Sequence, residues 1–88
     1  MITEDDLRYI LGDNYRNFKE KIITNVWCNN CSKDYSTTII AYSIELNDLN
    51  DIVLSGKCKE CRSNVGRYVE TGKNPDYSER IERIKKRN

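Results

Sequence analysis

The 88 residues carry 15 Lys and Arg against 14 Asp and Glu, a formal net charge of +1, and no histidine. The near-balance excludes a strongly basic, non-specific DNA binder, and the missing histidine excludes His-based general acid–base catalysis and Ser-His triads. With 38% apolar and 33% charged residues, the chain reads as one domain, residues 1–88, whose core is thin enough to need a metal or disulfide staple.

The first six residues are acidic rather than apolar, so they do not read as a signal peptide, and no apolar run reaches membrane-spanning length. These features predict a cytoplasmic protein in a reducing compartment, where paired cysteines read as metal ligands or redox centres. Residues 3–21 read as a helical segment. Thr3 is a favourable N-cap, and Glu4, Asp5 and Asp6 suit the positive end of the helix dipole. Leu7, Leu11, Tyr15, Phe18 and Ile22 form one apolar stripe. Gly12-Asp13-Asn14 interrupts it, which predicts a broken helix with Gly12 ending the first piece and Asp13 capping a second. Through Leu7, Leu11 and Phe18 the segment is expected to cover a sheet.

Ile22 to Trp27 is rich in β-branched residues and predicts a short strand. Tyr35 to Leu46 predicts a long one, with Ile40, Tyr42, Ile44 and Leu46 on one face and Ile39 and Ala41 on the other. Asn47-Asp48-Leu49-Asn50 reads as a turn, and Asp48 and Asp51 as its surface acids. Ile52 to Leu54 is the return strand of a hairpin. Gly56 gives the backbone freedom to bend, and Val65 to Glu70 reads as a third strand. After a loop over Thr71 to Pro75, residues 76–87 predict a helix. Asp76 and Glu79 have capping-box spacing, Tyr77, Ile81 and Ile84 share a face, and Glu79–Arg83 and Glu82–Lys86 are i,i+4 pairs.

All four cysteines lie in two C-x-x-C pairs, Cys28-Asn29-Asn30-Cys31 and Cys58-Lys59-Glu60-Cys61, with 26 residues between. Two intervening residues let a tight turn aim both thiolates at one ion, and two such turns close a tetrahedron. The stretch between them is what a hairpin needs to go out and return. On these residues the segment 22–70 resembles the zinc-ribbon superfamily. The resemblance implies one structural zinc on Cys28, Cys31, Cys58 and Cys61, in a small α+β fold. The expected sheet is antiparallel, of three to four strands, with an N-terminal helical segment and a short C-terminal helix. Many ribbon knuckles carry Gly after the second cysteine, whereas this chain has Ser32 and Arg62. Iron in the same cage is the alternative. Tyr35 is similar to a rubredoxin feature, but the second knuckle lacks the C-P-x-C-G of that family.

A four-cysteine cage leaves no open coordination position, and no catalytic constellation or phosphate-cradling glycine loop is present; no enzyme activity and no small-molecule substrate are expected. Two basic clusters remain. Lys57, Lys59, Arg62, Arg67 and Lys73 surround the second knuckle, net +3 against Glu60 and Glu70. Arg80, Arg83, Lys85, Lys86 and Arg87 crowd the last helix, also net +3. If they share a face, Lys57, Lys59, Arg62, Arg67, Arg80, Arg83 and Lys86 hold phosphates, and Tyr68, Trp27 or Tyr42 stacks on a base. The blander readings are cations offsetting the −2 of a zinc–tetrathiolate, a solvated helix end, and Trp27 shielding the metal. The functional expectation is a nucleic-acid-associated binding module. The alternatives are a protein–protein adaptor or self-associating module using a sheet edge, and a rubredoxin-like electron carrier.

Overall fold

The computed structural model describes residues 2–31 and 36–87. Met1, Asn88, and the sequence expectations attached to Ser32 and Tyr35 lie outside the described residues. The fold is α+β. Helix α1 spans Glu4–Leu11, and a three-residue helical stretch, α2, spans Tyr15–Asn17. Two short strands, β1 (Val26–Trp27) and β2 (Ser36–Thr37), form one antiparallel sheet. Strands β3 (Ile39–Leu46), β4 (Ile52–Cys58) and β5 (Asn64–Val69) form a second, in the order β3-β4-β5. Helix α3, Pro75–Lys86, follows.

The N-terminal segment is broken as its sequence predicts. Thr3 and Asp6 exchange hydrogen bonds of 3.1 Å in a capping box. Gly12 ends α1 with φ +55°, a conformation that side chains resist. The break runs through a 3-10 turn, Gly12–Asn14, and continues after α2 as a π-helical turn, Phe18–Ile22. Asp13 is not the cap, since Asn14 holds the N-cap position of α2; the Asn14 side chain caps no helix amide and donates instead to the Tyr77 hydroxyl. Leu7, Leu11 and Phe18 are buried as expected, and Ile10, which falls off the predicted stripe, is buried with them. The strand expected from Ile22 is only Val26–Trp27, because the helical turns carry on through Ile22.

The long strand expected over Tyr35 to Leu46 divides into β2 and β3, and β3 carries a bulge. Ile40 pairs with Lys57 and Ser43 with Ser55, so Ala41 and Tyr42 together oppose Gly56. Ala41 takes φ +51°. The extra residue switches the phase of the strand. Thr37 and Ile39 are buried before it, and Ile44 after it. Ile40 therefore lies on the outer face with Lys57, contrary to the simple alternation, and Ile39 takes its place in the core. The return strand reaches Cys58, four residues beyond its apolar run, because the ladder to β5 extends to Lys57–Asn64.

The core unites Leu7, Ile10, Phe18, Val26, Ile39, Ile52, Leu54 and Ile81 from helices and sheet. Helix α3 is capped by Asn74, which accepts from the Asp76 and Tyr77 amides, with Pro75 in the first turn; Asp76 is not the cap. The helix docks on the β3–β4 turn through buried Asn50, whose Nδ2 donates to Ser78 Oγ and Glu82 Oε2, both at 2.9 Å. Lys85 Nζ donates to Asn50 Oδ1 at 2.6 Å and to the Asn47 carbonyl at 2.9 Å. Glu82 is thereby drawn away from Lys86, and the expected pair between them is absent among the described residues.

Asp51, expected as a surface acid, is 5% exposed. It accepts from the Gly72 amide at 2.8 Å and from the Tyr68 hydroxyl. The Tyr68 hydroxyl and the Gly72 amide, followed by Asn47, hold its carboxyl below the usual carboxylate range. A depressed folded pKa gives stability that is present above the unfolded value and is lost as pH falls through the folded one. We expect Asp51→Asn to melt below the parent at neutral pH. The gap should close as pH falls below the carboxylate range, as read by paired thermal melts.

Candidate metal centre

The four sulfurs are delivered by two turns at one end of the sheets. Cys28 follows β1 directly, and Cys58 ends β4. The β1–β2 pairing, Val26–Thr37 and Trp27–Ser36, folds the first knuckle back on itself. The Ile39–Cys58 pair and the Lys59 amide, which donates to the Thr38 carbonyl at 3.0 Å, tie the second knuckle to the β2–β3 junction. As a result Cys28, Cys31, Cys58 and Cys61 converge, with all four Sγ atoms within 4.8 Å of one another.

Two short approaches cross between the knuckles. Cys28 and Cys61 Sγ are 3.6 Å apart, and Cys31 and Cys58 Sγ are 3.3 Å apart. A disulfide needs about 2.05 Å, and all four cysteines are free. A tetrahedron with metal–sulfur bonds of about 2.3 Å has sulfur–sulfur edges of about 3.8 Å. Sulfurs at 3.3 and 3.6 Å are a few tenths of an ångström from that arrangement. The donor set, four soft thiolates and nothing else, is the kind that holds zinc or iron. The residues present fit a metal ion.

The surroundings of the second knuckle favour thiolates at Cys58 and Cys61. Cys61 is pulled down to about 5 by hydrogen bonds from the Ser63 side chain, the Asn30 side chain and the Ser63 backbone. Burial raises Cys58, but hydrogen bonds from Thr37 and from the backbone of Cys61 and Glu60 outweigh it, and the thiol is lowered. The Thr37 hydroxyl lies 3.2 Å from Cys58 Sγ. Cys31 is pushed up, first by its hydrogen bond to Cys58 and then by that to Cys61. Neighbouring thiolates disfavour a further negative charge, which keeps the proton on Cys31. A cation that binds there displaces that proton.

The second knuckle forms without the glycine that ribbon sequences favour. Arg62 takes φ +67°, its amide donates to the Cys58 carbonyl at 2.9 Å, and Cys58 N donates to the Ser63 carbonyl at 2.9 Å. A side chain in the left-handed region costs about 1–2 kcal/mol. We expect Arg62→Gly to raise the stability of the metal-loaded protein by about 1 kcal/mol in denaturant titrations.

Of the first basic cluster, Lys73 lies directly before α3, while Lys57, Lys59 and Arg62 lie at the metal end of β4, away from it. Lys57 projects from the outer face of β4 and hydrogen-bonds Asn64. Lys59 and Arg62 are exposed on the second knuckle. Arg67 faces Leu54 on the inner face of the sheet, with its Nε buried and without a hydrogen-bond partner. Helix α3 sits at the turn end of β4, and the knuckle at the other end, about 20 Å away at the rise of a strand. The α3 cations have structural work. Arg80 donates to the Ile10 carbonyl at 2.8 Å, at the end of α1. Arg83 binds Glu79 at 2.7 Å and Tyr9 at 3.4 Å, and Arg87 binds Asp6 at 2.8 Å. Lys86 is exposed.

Two of the three candidate stacking rings are accessible. Tyr42 is half-buried, donating to Glu4 Oε1 at 2.9 Å and accepting from Lys19 Nζ at 3.0 Å. Trp27 is 53% exposed beside Cys28, with its indole N–H on Asn29. Tyr68 is 49% exposed. No sequence rule marks Thr37, Asn30 or Ser63 as partners of the sulfurs, since their roles arise from the pairing of strands and turns.

No protein-family model matches the chain, and no curated protein or solved structure is significantly similar to it. Among the described residues no helix is long and apolar enough to cross a membrane.

Proposed function

We propose that the chain is a non-catalytic zinc-ribbon module of the cytoplasm, held by one structural zinc on Cys28, Cys31, Cys58 and Cys61, and that it associates with nucleic acid. The convergence of four sulfurs within 4.8 Å of one another carries the proposal. Four protein thiolates fill a tetrahedron and leave no position for water or substrate, so the ion stabilises the fold and activates nothing.

Support for a nucleic-acid partner comes from the metal end. Lys59 and Arg62 are exposed on one knuckle, and Trp27 is exposed beside the other. Four thiolates and Zn²⁺ carry a formal −2, while Lys57, Lys59, Glu60 and Arg62 together carry +2. The metal end is then close to neutral. That balance favours weak binding in which stacking shares the work with phosphate contacts.

Elemental analysis and oligonucleotide titrations across salt concentrations test the two parts. One zinc per colourless chain is the expected result. Iron with visible thiolate charge-transfer absorption would replace the reading with an electron carrier. Measurable affinity at low salt that falls with added salt is expected, and Lys86→Ala should leave it nearly unchanged. No affinity at low salt would remove the nucleic-acid partner and leave an adaptor or self-associating module.

A further inference from the structure

The outer face of the β3-β4-β5 sheet is open. Its cross-strand neighbours are Val53 and Tyr68, Ser55 and Gly66, and Lys57 and Asn64. Over Ser55 and Gly66, and beside the bulge at Ala41, the face sinks into an open depression of about 600 Å³. Its floor is backbone and small side chains, because Gly66 has none and Ala41 and Ser55 are short. Lys57 and Asn64 close it towards the metal end. Tyr68 stands two residues beyond Gly66 on the same face, about 7 Å along the strand.

Tyr68 is held still. Its hydroxyl donates to Asp51 and accepts from Asn47 Nδ2 at 2.9 Å, yet 49% of the residue is exposed. A ring fixed at its polar tip and open elsewhere offers stacking area at little entropic cost. The charge on this face is graded. Lys57 lies at the depression, with Lys59 and Arg62 beyond it, while Asp51 and Glu45 lie at the Tyr68 end. An anionic chain is therefore drawn to one end only.

We propose that this face is a platform for single-stranded nucleic acid, in which one base stacks on Tyr68, its neighbour lies in the depression over Gly66 and Ser55, and Lys57 meets the intervening phosphate. Asn64 presents an amide to the edge of the second base. The inference rests on the nucleic-acid partner proposed above and extends its contact from the metal end onto the sheet. A duplex is excluded from the platform, because its bases are already stacked and its rigid backbones cannot enter a depression of this size.

Fluorescence anisotropy with short oligouridine and oligothymidine, at low salt and with zinc-loaded protein, tests the proposal. Tyr68→Ala is expected to weaken binding at least about fivefold, the lower end for one lost base stack. Tyr68→Phe, which keeps the ring but frees its tip from Asp51 and Asn47, should bind more weakly than the parent and more tightly than Tyr68→Ala. Ser55→Val raises an apolar branch from the floor of the depression without touching the turn or the metal, and should weaken binding while zinc content and melting temperature hold. Lys57→Gln should reduce the salt slope by about 0.7, one single-strand phosphate contact. If the parent binds and Tyr68→Ala and Ser55→Val bind equally well, while Trp27→Ala is weakened, the platform is overturned and the nucleic-acid partner stands. Equal affinity for duplex and single strand overturns the platform as well. No binding by the parent overturns both.

Discussion

Cys58→Ser, or removal of the metal by a strong chelator, is expected to lower stability more than any other single change in this chain. Cys58 is fully buried, 3.3 Å from Cys31 Sγ and 3.2 Å from the Thr37 hydroxyl. Structural zinc in small thiolate sites contributes about 10–16 kcal/mol, and the net stability of a domain is about 5–15 kcal/mol. Loss of the ion therefore threatens the whole margin. The parts nearest the site have little else to hold them. Strands β1 and β2 share two residue pairs, too few to persist alone. The apolar contacts of α1, α3 and the turn end of the sheet should leave residual helix. Trp27, the single tryptophan, sits beside Cys28 and reports the site directly. Chelation should change its emission together with the loss of a cooperative melt by circular dichroism. Metal-stripped protein that melts no earlier than the loaded form would refute the role given to the cysteines.

The four-cysteine cluster was legible in the sequence because its code is local. Two residues between cysteines fix the geometry of each knuckle, and strong β propensity between the pairs implies the return path. The same locality made the capping of α1 by Thr3 and the break at Gly12 readable. What could not be read depends on partners distant in the chain. Asn50 and Asp51 look like ordinary turn residues, yet they are buried because α3 and the segment after β5 close over them. Arg80 and Arg83 look like a phosphate-binding tail until α1 and Tyr9 are placed beside them. The face of Arg67 is set by its pairing with Leu54, which alternation within β5 alone does not orient. Charge clusters read along a sequence record composition, and tertiary contacts decide whether the charges remain available.

The bulge in β3 supplies the second large effect. A Cβ on Gly56 would lie 2.6 Å from the Ile40 carbonyl oxygen and 2.9 Å from Tyr42 Cα, both backbone atoms that no rotamer change can move. Gly56→Ala must therefore displace the bulge, and overpacking of this kind costs about 1–3 kcal/mol. In a domain of this size that is a fall in melting temperature of roughly 5–20 °C. Ala41→Gly acts in the opposite direction, since Ala41 holds φ +51° and glycine removes the strain. The greater freedom of glycine in the unfolded chain offsets part of the gain, so a rise of at most about 1 kcal/mol is expected. The two substitutions bear on the metal because Ile39 and Cys58 are paired on one side of the bulge and Ile44 and Leu54 on the other. With Ala41 and Tyr42 both opposing Gly56, an odd-numbered and an even-numbered residue of β3 can face the same core, so that Ile39 lies beside Cys58, whose own face follows the unbroken alternation of β4. If Gly56→Ala shifts that register, zinc affinity should fall along with melting temperature in competition titrations against a chelator. An unchanged affinity beside a lowered melting temperature would show that the strain is absorbed in β3 and does not reach the knuckle.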